Sequence, residues 1–224
     1  MAVSRLVEPG KADCNSGENA MRSMLLGLIL LLPASALAEP IETQKIITAL
    51  TGDFNGDGAA DLAMIVETEP EDDTMDMHFF LRDKKYNFLK PAGVVHEQVY
   101  GEWNDYDQPH YEGSGIEPEL TLLPNGSIKI YLPGLIGPGE RTDMTLTIAW
   151  RNEAFVVAGV AYDHYKYQSV VVYSSCDYDV LTGKGKSMQT QDDDSKVNSI
   201  VSVEGQVVPF AEWDTGTPFR VCGD

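Results

Sequence analysis

The sequence predicts an all-β protein: an antiparallel meander forming a sandwich or a curled sheet, with propeller-like blade packing as the alternative. Three observations carry that prediction. Short runs alternate apolar and polar residues at period two, and tight-turn signals separate them. Beyond residue 38 no segment carries an apolar stripe of period 3.6. Successive short strands joined by tight turns favour antiparallel architecture.

The strands follow in order. Leu62, Met64 and Val66 alternate with Ala63, Ile65 and Glu67, as in a largely buried strand. "MDMHFFLR" (75–82) is the next run, and "DKKYN" turns the chain. "ELTLLPNGSIKIYL" (119–132) reads as a hairpin, with Asn125-Gly126 favouring a type I′ turn. Ile128, Ile130 and Leu132 then share one face, with Lys129 and Tyr131 on the other. "MTLTIAW" (144–150) places Met144, Leu146, Ile148 and Trp150 together, opposite its threonines. "RNEA" turns this strand into "FVVAGVAYDHY" (155–165), and "SVVVYSSCDYDVLTG" (169–183) follows. "QTQDDDSK" (189–196) reads as a solvated loop, because adjacent acids cannot all turn inward.

The amino-terminal stretch has a different character. Residues 21–38 combine Arg22, an apolar core from Met24 to Leu32 and the small-residue site Ala36-Leu37-Ala38, the pattern of a signal peptide cut after Ala38. Its apolar run is too short to span a bilayer, and nothing later is apolar enough for a membrane anchor. Residues 1–20 are polar, so Met21 is the expected start and the upstream stretch a mis-start. The expected product is a periplasmic or secreted domain of residues 39–224, large enough to bury a core without staples.

Charge and cysteine usage narrow the function. The chain carries a net charge of −19, and removing residues 1–38 takes equal numbers of acids and bases. Such an excess repels nucleic acid and anionic membranes, and suits a cation or a basic protein as partner. Cys176 and Cys222 are the cysteines beyond the signal segment, and in an exported chain they are expected to form one disulfide.

The residues with most chemistry are in "TGDFNGDGAADLAMIVE" (51–67). Asp53, Asn55, Asp57, the carbonyl of Ala59 and Asp61 fall at positions 1, 3, 5, 7 and 9 of a loop, the spacing that wraps oxygen ligands around Ca2+. Gly58 occupies position six, where the chain must turn sharply. Zinc or copper would call for His or Cys, and the loop has neither. Met64 stands where an EF-hand places a bidentate Glu, and a strand rather than a helix follows. A plain polar turn needs only two special residues.

A calcium loop running directly into a strand resembles the FG-GAP or VCBS-type repeat of β-propellers and bacterial surface proteins. The resemblance rests on "DFNGDGAADLAMIV" and implies that Asp53, Asn55, Asp57, Ala59 and Asp61 hold the ion. Propellers carry several copies, and this chain has one good one. "GPGERTDMTLTI" (137–148) is the nearest to a degenerate second copy, with only Asp143 in register. The order W-x-x-x-x-F-x-x-x-G-x-x-Y-D, from Trp150 to Asp163, resembles the C-terminal half of small exported bacterial proteins of unknown function.

Residues 100–119 break the strand pattern with aromatics and acids. Long loops of this kind are usually functional or disordered. Trp103, Asp105, Tyr106, Asp107 and Tyr111 form an expected binding loop, with capping of the core as the alternative role for the rings. Enzyme signatures are missing: "EGSGIE" lacks the spacing of a nucleophile elbow, "HEQVY" lacks the second His of a zinc protease, and there is no phosphate loop. His78, His96, His110 and His164 are widely spaced. The leading expectation is therefore a calcium-binding, non-enzymatic module for a protein or glycan ligand. The alternatives are an acidic inhibitor of a cationic hydrolase such as lysozyme, and a hydrolase with a structural calcium ion.

Overall fold

The computed structural model describes residues 46–67, 74–100, 117–137, 139–167, 171–191 and 193–223. All of them belong to one unit, Glu42–Asp224. The segments read as mis-start and signal peptide, and the aromatic loop with Trp103, Asp105, Tyr106, Asp107 and Tyr111, lie outside the described residues.

The chain is an antiparallel all-β protein whose strands do not close into a barrel. Strands β1 (Ile46–Gly52), β2 (Asp61–Glu67), β3 (Thr74–Asp83) and β4 (Phe88–Tyr100) form a four-stranded sheet in chain order. The second sheet runs β5 (Glu119–Leu122), β6 (Ile128–Gly137), β7 (Glu140–Arg151), β8 (Ala154–Tyr167), β9 (Val171–Asp179), β10 (Lys184–Thr190) and β11 (Lys196–Ser202). A short strand, β12 (Val208–Pro209), pairs with β8 away from that path. Each sheet is a meander, so neighbouring strands are joined without crossovers. The change of sheet falls between β4 and β5.

One core serves both sheets. Ala63, Ile65, Met77 and Phe79 from the first sheet share it with Ile130, Leu146, Ile148 and Val157 from the second, all at or near zero exposure. Phe155 links the two, stacked on Phe79 with centroids 3.8 Å apart and edge-on to Phe54 at 6.4 Å and Trp150 at 4.8 Å. Truncating such a ring to Ala typically costs about 3–5 kcal/mol. The alternation read from Ile128, Ile130 and Leu132 holds: all three are buried, and Lys129 is exposed. Met144, Leu146 and Ile148 are buried likewise, with Trp150 half-buried against Phe155.

Four details depart from the sequence reading. The β5–β6 turn is not type I′, which needs positive φ at both central residues. Gly126 has φ of +81°, but Asn125 is outside that region, and the Gly126 amide donates to the Leu123 carbonyl over 3.0 Å. Pro124 explains the difference: its ring fixes φ near −65°, favouring an ordinary turn followed by a left-handed glycine. The two-residue turn with positive φ at both positions occurs instead at Asn152 (+51°) and Glu153 (+62°), between paired Arg151 and Ala154.

Residues 140–148 are strand β7, paired with β6 and β8, so "GPGERTDMTLTI" is not a second ion loop. Strands β10 and β11 carry little apolar alternation: β11 is the edge strand and buries only Val201, with Lys196 among its exposed residues, while β10, paired on both sides by β9 and β11, buries none of its residues. A six-residue helix, α1 (Thr217–Cys222), follows the single-turn 3-10 segment Phe210–Glu212. It is too short to show a helical stripe, though Pro218 at its start and left-handed Gly223 at its end are recognisable boundaries. Among the described residues no helix is long and apolar enough to cross a membrane.

Candidate functional site

The candidate loop spans β1 and β2. Gly52 and Asp61 are the last paired residues of that hairpin, so residues 53–60 close between them. Gly56 and Gly58 adopt φ of +76° and +83°, left-handed values that cost a side-chain-bearing residue about 1–2 kcal/mol. These glycines let the loop turn tightly enough to fold its side-chain oxygens inward.

The side chains organise the loop's own amides. Asp53 accepts from the Asp57 amide through Oδ1 (2.9 Å) and from the Gly58 amide through Oδ2 (2.7 Å). Asn55 Oδ1 also accepts from the Asp57 amide at 2.9 Å, and Asp57 Oδ1 accepts from the Ala59 amide at 2.8 Å. Asp61 is fully buried. Its Oδ2 accepts from the Phe54 amide and its Oδ1 from the Arg82 amide, each at 2.9 Å. Asp53, Asn55, Asp57 and Ala59 are half-buried at the loop surface. The five residues singled out by spacing thus belong to one small loop.

Two neighbouring turns hold it. Arg82 Nε donates to the Ala60 carbonyl (2.6 Å), and Lys84 Nζ lies 3.7 Å from Asp57 Oδ1. On another side, a Cβ added at Gly126 would stand 2.5 Å from the Asp53 carbonyl oxygen, so the β5–β6 turn touches the start of the loop. Arg82, Lys84 and Gly126 are residues the sequence reading missed. The first two had a signal: an antiparallel β2–β3 pair returns the end of β3 beside the start of β2, where Asp61 sits.

Electrostatically the loop gathers three carboxylates, and Lys84 supplies its only ion pair among the described residues. The donors are hard oxygens throughout. Among the described residues no three Asp, Glu, His or Cys side chains are gathered at metal-holding distance. Asp53 and Asp61 spend one lone pair of each oxygen on an amide and retain the second, since an ionised carboxylate has about four acceptor positions.

Other polar groups form separate structural clusters. Asp143 Oδ2 lies 3.0 Å from Arg141 Nε, and its Oδ1 accepts from the Gly134 amide at 2.9 Å. Burial raises the Asp143 pKa, but the Arg141 and Gly134 bonds outweigh it and leave the value below 3.8. Burial and the nearby Asp143 carboxylate push the Tyr131 phenol up. His96 pairs with Asp76 at 2.7 Å in the first sheet, and His164 with Thr142 at 2.7 Å in the second. Neither histidine approaches the loop residues through a hydrogen bond.

Cys176 on β9 and Cys222 on α1 stand at disulfide distance, with Cα atoms 6.2 Å apart and 46 residues of chain between them. That connection ties the carboxy-terminal helix to the second sheet. Searches of protein-family models, curated proteins and solved structures yield no match to this chain.

Proposed function

We propose that this chain is an exported calcium-binding β-domain, with a single FG-GAP/VCBS-type loop, that acts as a binding module for a protein or glycan ligand and not as a catalyst. The observation that carries the calcium reading is the 53–61 loop: five oxygen donors in strict alternation, folded around two left-handed glycines. Asp53, Asn55, Asp57, the Ala59 carbonyl and Asp61 would hold the ion, using lone pairs that the amides leave free. Calcium would supply the countercharge for three carboxylates that Lys84 alone does not balance. Its role would be structural, tying the β1–β2 loop to the neighbouring turns.

Titration calorimetry on the domain tests the metal. One Ca2+ should bind, and at a free concentration one hundred times Kd the native state gains about 2.7 kcal/mol. Absence of heat, together with a melting temperature indifferent to EDTA, would overturn the assignment. Export and the disulfide are tested by intact mass: the secreted protein should begin at Glu39 and take up no iodoacetamide before reduction.

The net charge of −19 supports a second reading, an acidic inhibitor of a cationic hydrolase such as lysozyme. Inhibition that weakens between low and moderate salt would favour it over the plain binding module, because such steering is screened beyond about 8–10 Å.

A further inference from the structure

Asn-Gly occurs twice in the chain, at Asn55-Gly56 in the β1–β2 loop and at Asn125-Gly126 in the β5–β6 turn. This dipeptide can modify itself. The glycine nitrogen attacks the side-chain carbonyl carbon of the asparagine, and no Cβ on the glycine hinders the approach. The structure treats the two pairs differently.

Both pairs present a polarised carbonyl. The asparagine Oδ1 accepts from the amide two residues on, that of Asp57 at 2.9 Å for Asn55 and that of Ser127 at 3.1 Å for Asn125. An N–H aimed at that oxygen stabilises the negative charge that grows on it during attack. The nucleophiles are what differ. The Gly126 amide donates to the Leu123 carbonyl at 3.0 Å, which holds its proton. Asp57-Gly58 repeats the arrangement, with Asp57 Oδ1 accepting from Ala59, but there the Gly58 amide donates to Asp53 Oδ2 at 2.7 Å. Among the described residues the Gly56 amide donates to no acceptor. Access differs as well. A Cβ at Gly126 would stand 2.5 Å from the Asp53 carbonyl oxygen, whereas one at exposed Gly56 would meet nothing within 4 Å. Solvent base therefore reaches the Gly56 N–H, and the loop has room there for a ring to close.

We propose that Asn55 is a site of spontaneous deamidation in the folded chain, with the Gly56 nitrogen as nucleophile and water as co-reactant. The Gly56 amide gives its proton to solvent base and bonds to Asn55 Cγ. The Cγ–Nδ2 bond then breaks, the departing nitrogen takes up a proton, and ammonia leaves a cyclic imide behind. Water opens the imide at either carbonyl, giving aspartate or isoaspartate. Both products add a carboxylate to a loop that already holds three, and isoaspartate also lengthens the backbone by one methylene. The change falls on the side chain that positions the Asp57 amide. Its effect on calcium rests on the calcium reading of this loop; the modification itself does not.

The test follows both asparagines by peptide mapping and mass spectrometry while the folded chain is incubated in EDTA at mildly alkaline pH. EDTA makes the result independent of whether the loop takes calcium. Asn55 should convert faster than Asn125 by roughly two- to tenfold, the factor for giving up one hydrogen bond at the nucleophile. Isoaspartate should accompany aspartate at position 55, because direct hydrolysis of the side-chain amide yields aspartate alone. In the urea-unfolded chain the two rates should converge, since the dipeptide is the same and the contacts are gone. Gly56→Ala should slow conversion at Asn55 by hindering the nitrogen. The comparison of Asn55 with Asn125 on the unsubstituted chain stands even if that variant folds poorly. Equal or faster conversion at Asn125 in the folded chain, aspartate alone at position 55, or a rate difference that survives unfolding would each overturn the proposal.

Discussion

The backbone amide of Arg82 donates to the buried Oδ1 of Asp61 over 2.9 Å, joining residues 21 apart in sequence. The guanidinium of the same arginine holds the adjacent Ala60 carbonyl over 2.6 Å. Asp61 therefore has work in the fold before any ion is considered: it satisfies the buried Phe54 amide and the partly buried Arg82 amide. Asp57, by contrast, is half-buried, and its carboxylate accepts a bond only within its own loop.

That difference predicts distinct phenotypes for two residues of one motif. Asp61→Ala should destabilise the domain by about 2–4 kcal/mol even in EDTA, because it strands one buried and one partly buried donor. Asp57→Ala should cost at most about 1–2 kcal/mol in EDTA and remove most of the stabilisation by calcium. Paired denaturant titrations with and without calcium measure both.

Lys84 sits 3.7 Å from Asp57 and competes with a bound cation for it. Lys84→Ala should raise calcium affinity by about two- to fivefold, the amount expected for a solvent-screened pair. Unchanged or weaker affinity by calorimetry would show that Lys84 has no such competing role.

Gly126 has φ of +81° and would place a Cβ 2.5 Å from the Asp53 carbonyl oxygen. Gly126→Ala should therefore cost about 2–4 kcal/mol from backbone strain and overpacking together. The clash falls on Asp53, so calcium affinity should drop in the same variant. Chemical denaturation and calorimetry report the two effects separately.

Glu153 holds φ of +62° in the two-residue turn between β7 and β8, and glycine suits that place better. Relief of the left-handed strain outweighs the added freedom of the unfolded chain. Glu153→Gly should stabilise the protein by about 0.5–1 kcal/mol, seen as a higher denaturant midpoint at unchanged slope.

Asp143 contributes a pH dependence to the second sheet. Its folded-state pKa lies below 3.8, so its contribution is complete above that value and disappears as pH falls through the folded one. Asp143→Asn should cost about 1–2 kcal/mol at neutral pH, and much less once the wild-type carboxyl is protonated. Stability curves for the two proteins should converge as the solution is acidified below pH 3.8.

Local patterns reported local facts well. The alternation of Ile128, Ile130 and Leu132 identified the buried face of β6, because each side chain must point to one side of a pleated strand. The same logic failed for β10 and β11, which between them bury only Val201 and so need no continuous apolar face. It failed at Asn125-Gly126 because Pro124 constrains the preceding position, which a dipeptide signal does not register.

By itself the sequence determined the antiparallel strand character, the oxygen-rich 53–61 loop with its glycines, and the acidity of the chain. It also supplied the two cysteines that meet across 46 residues. These follow from spacing and composition, which act over a few residues or sum over the whole chain. Only the tertiary structure decided that the strands divide into two sheets between β4 and β5, and that Phe155 packs them together. It likewise set Arg82, Lys84 and Gly126 around the loop. Such contacts depend on strand pairing and core packing between distant residues, whose free energy belongs to the assembled surfaces and to no single stretch of chain.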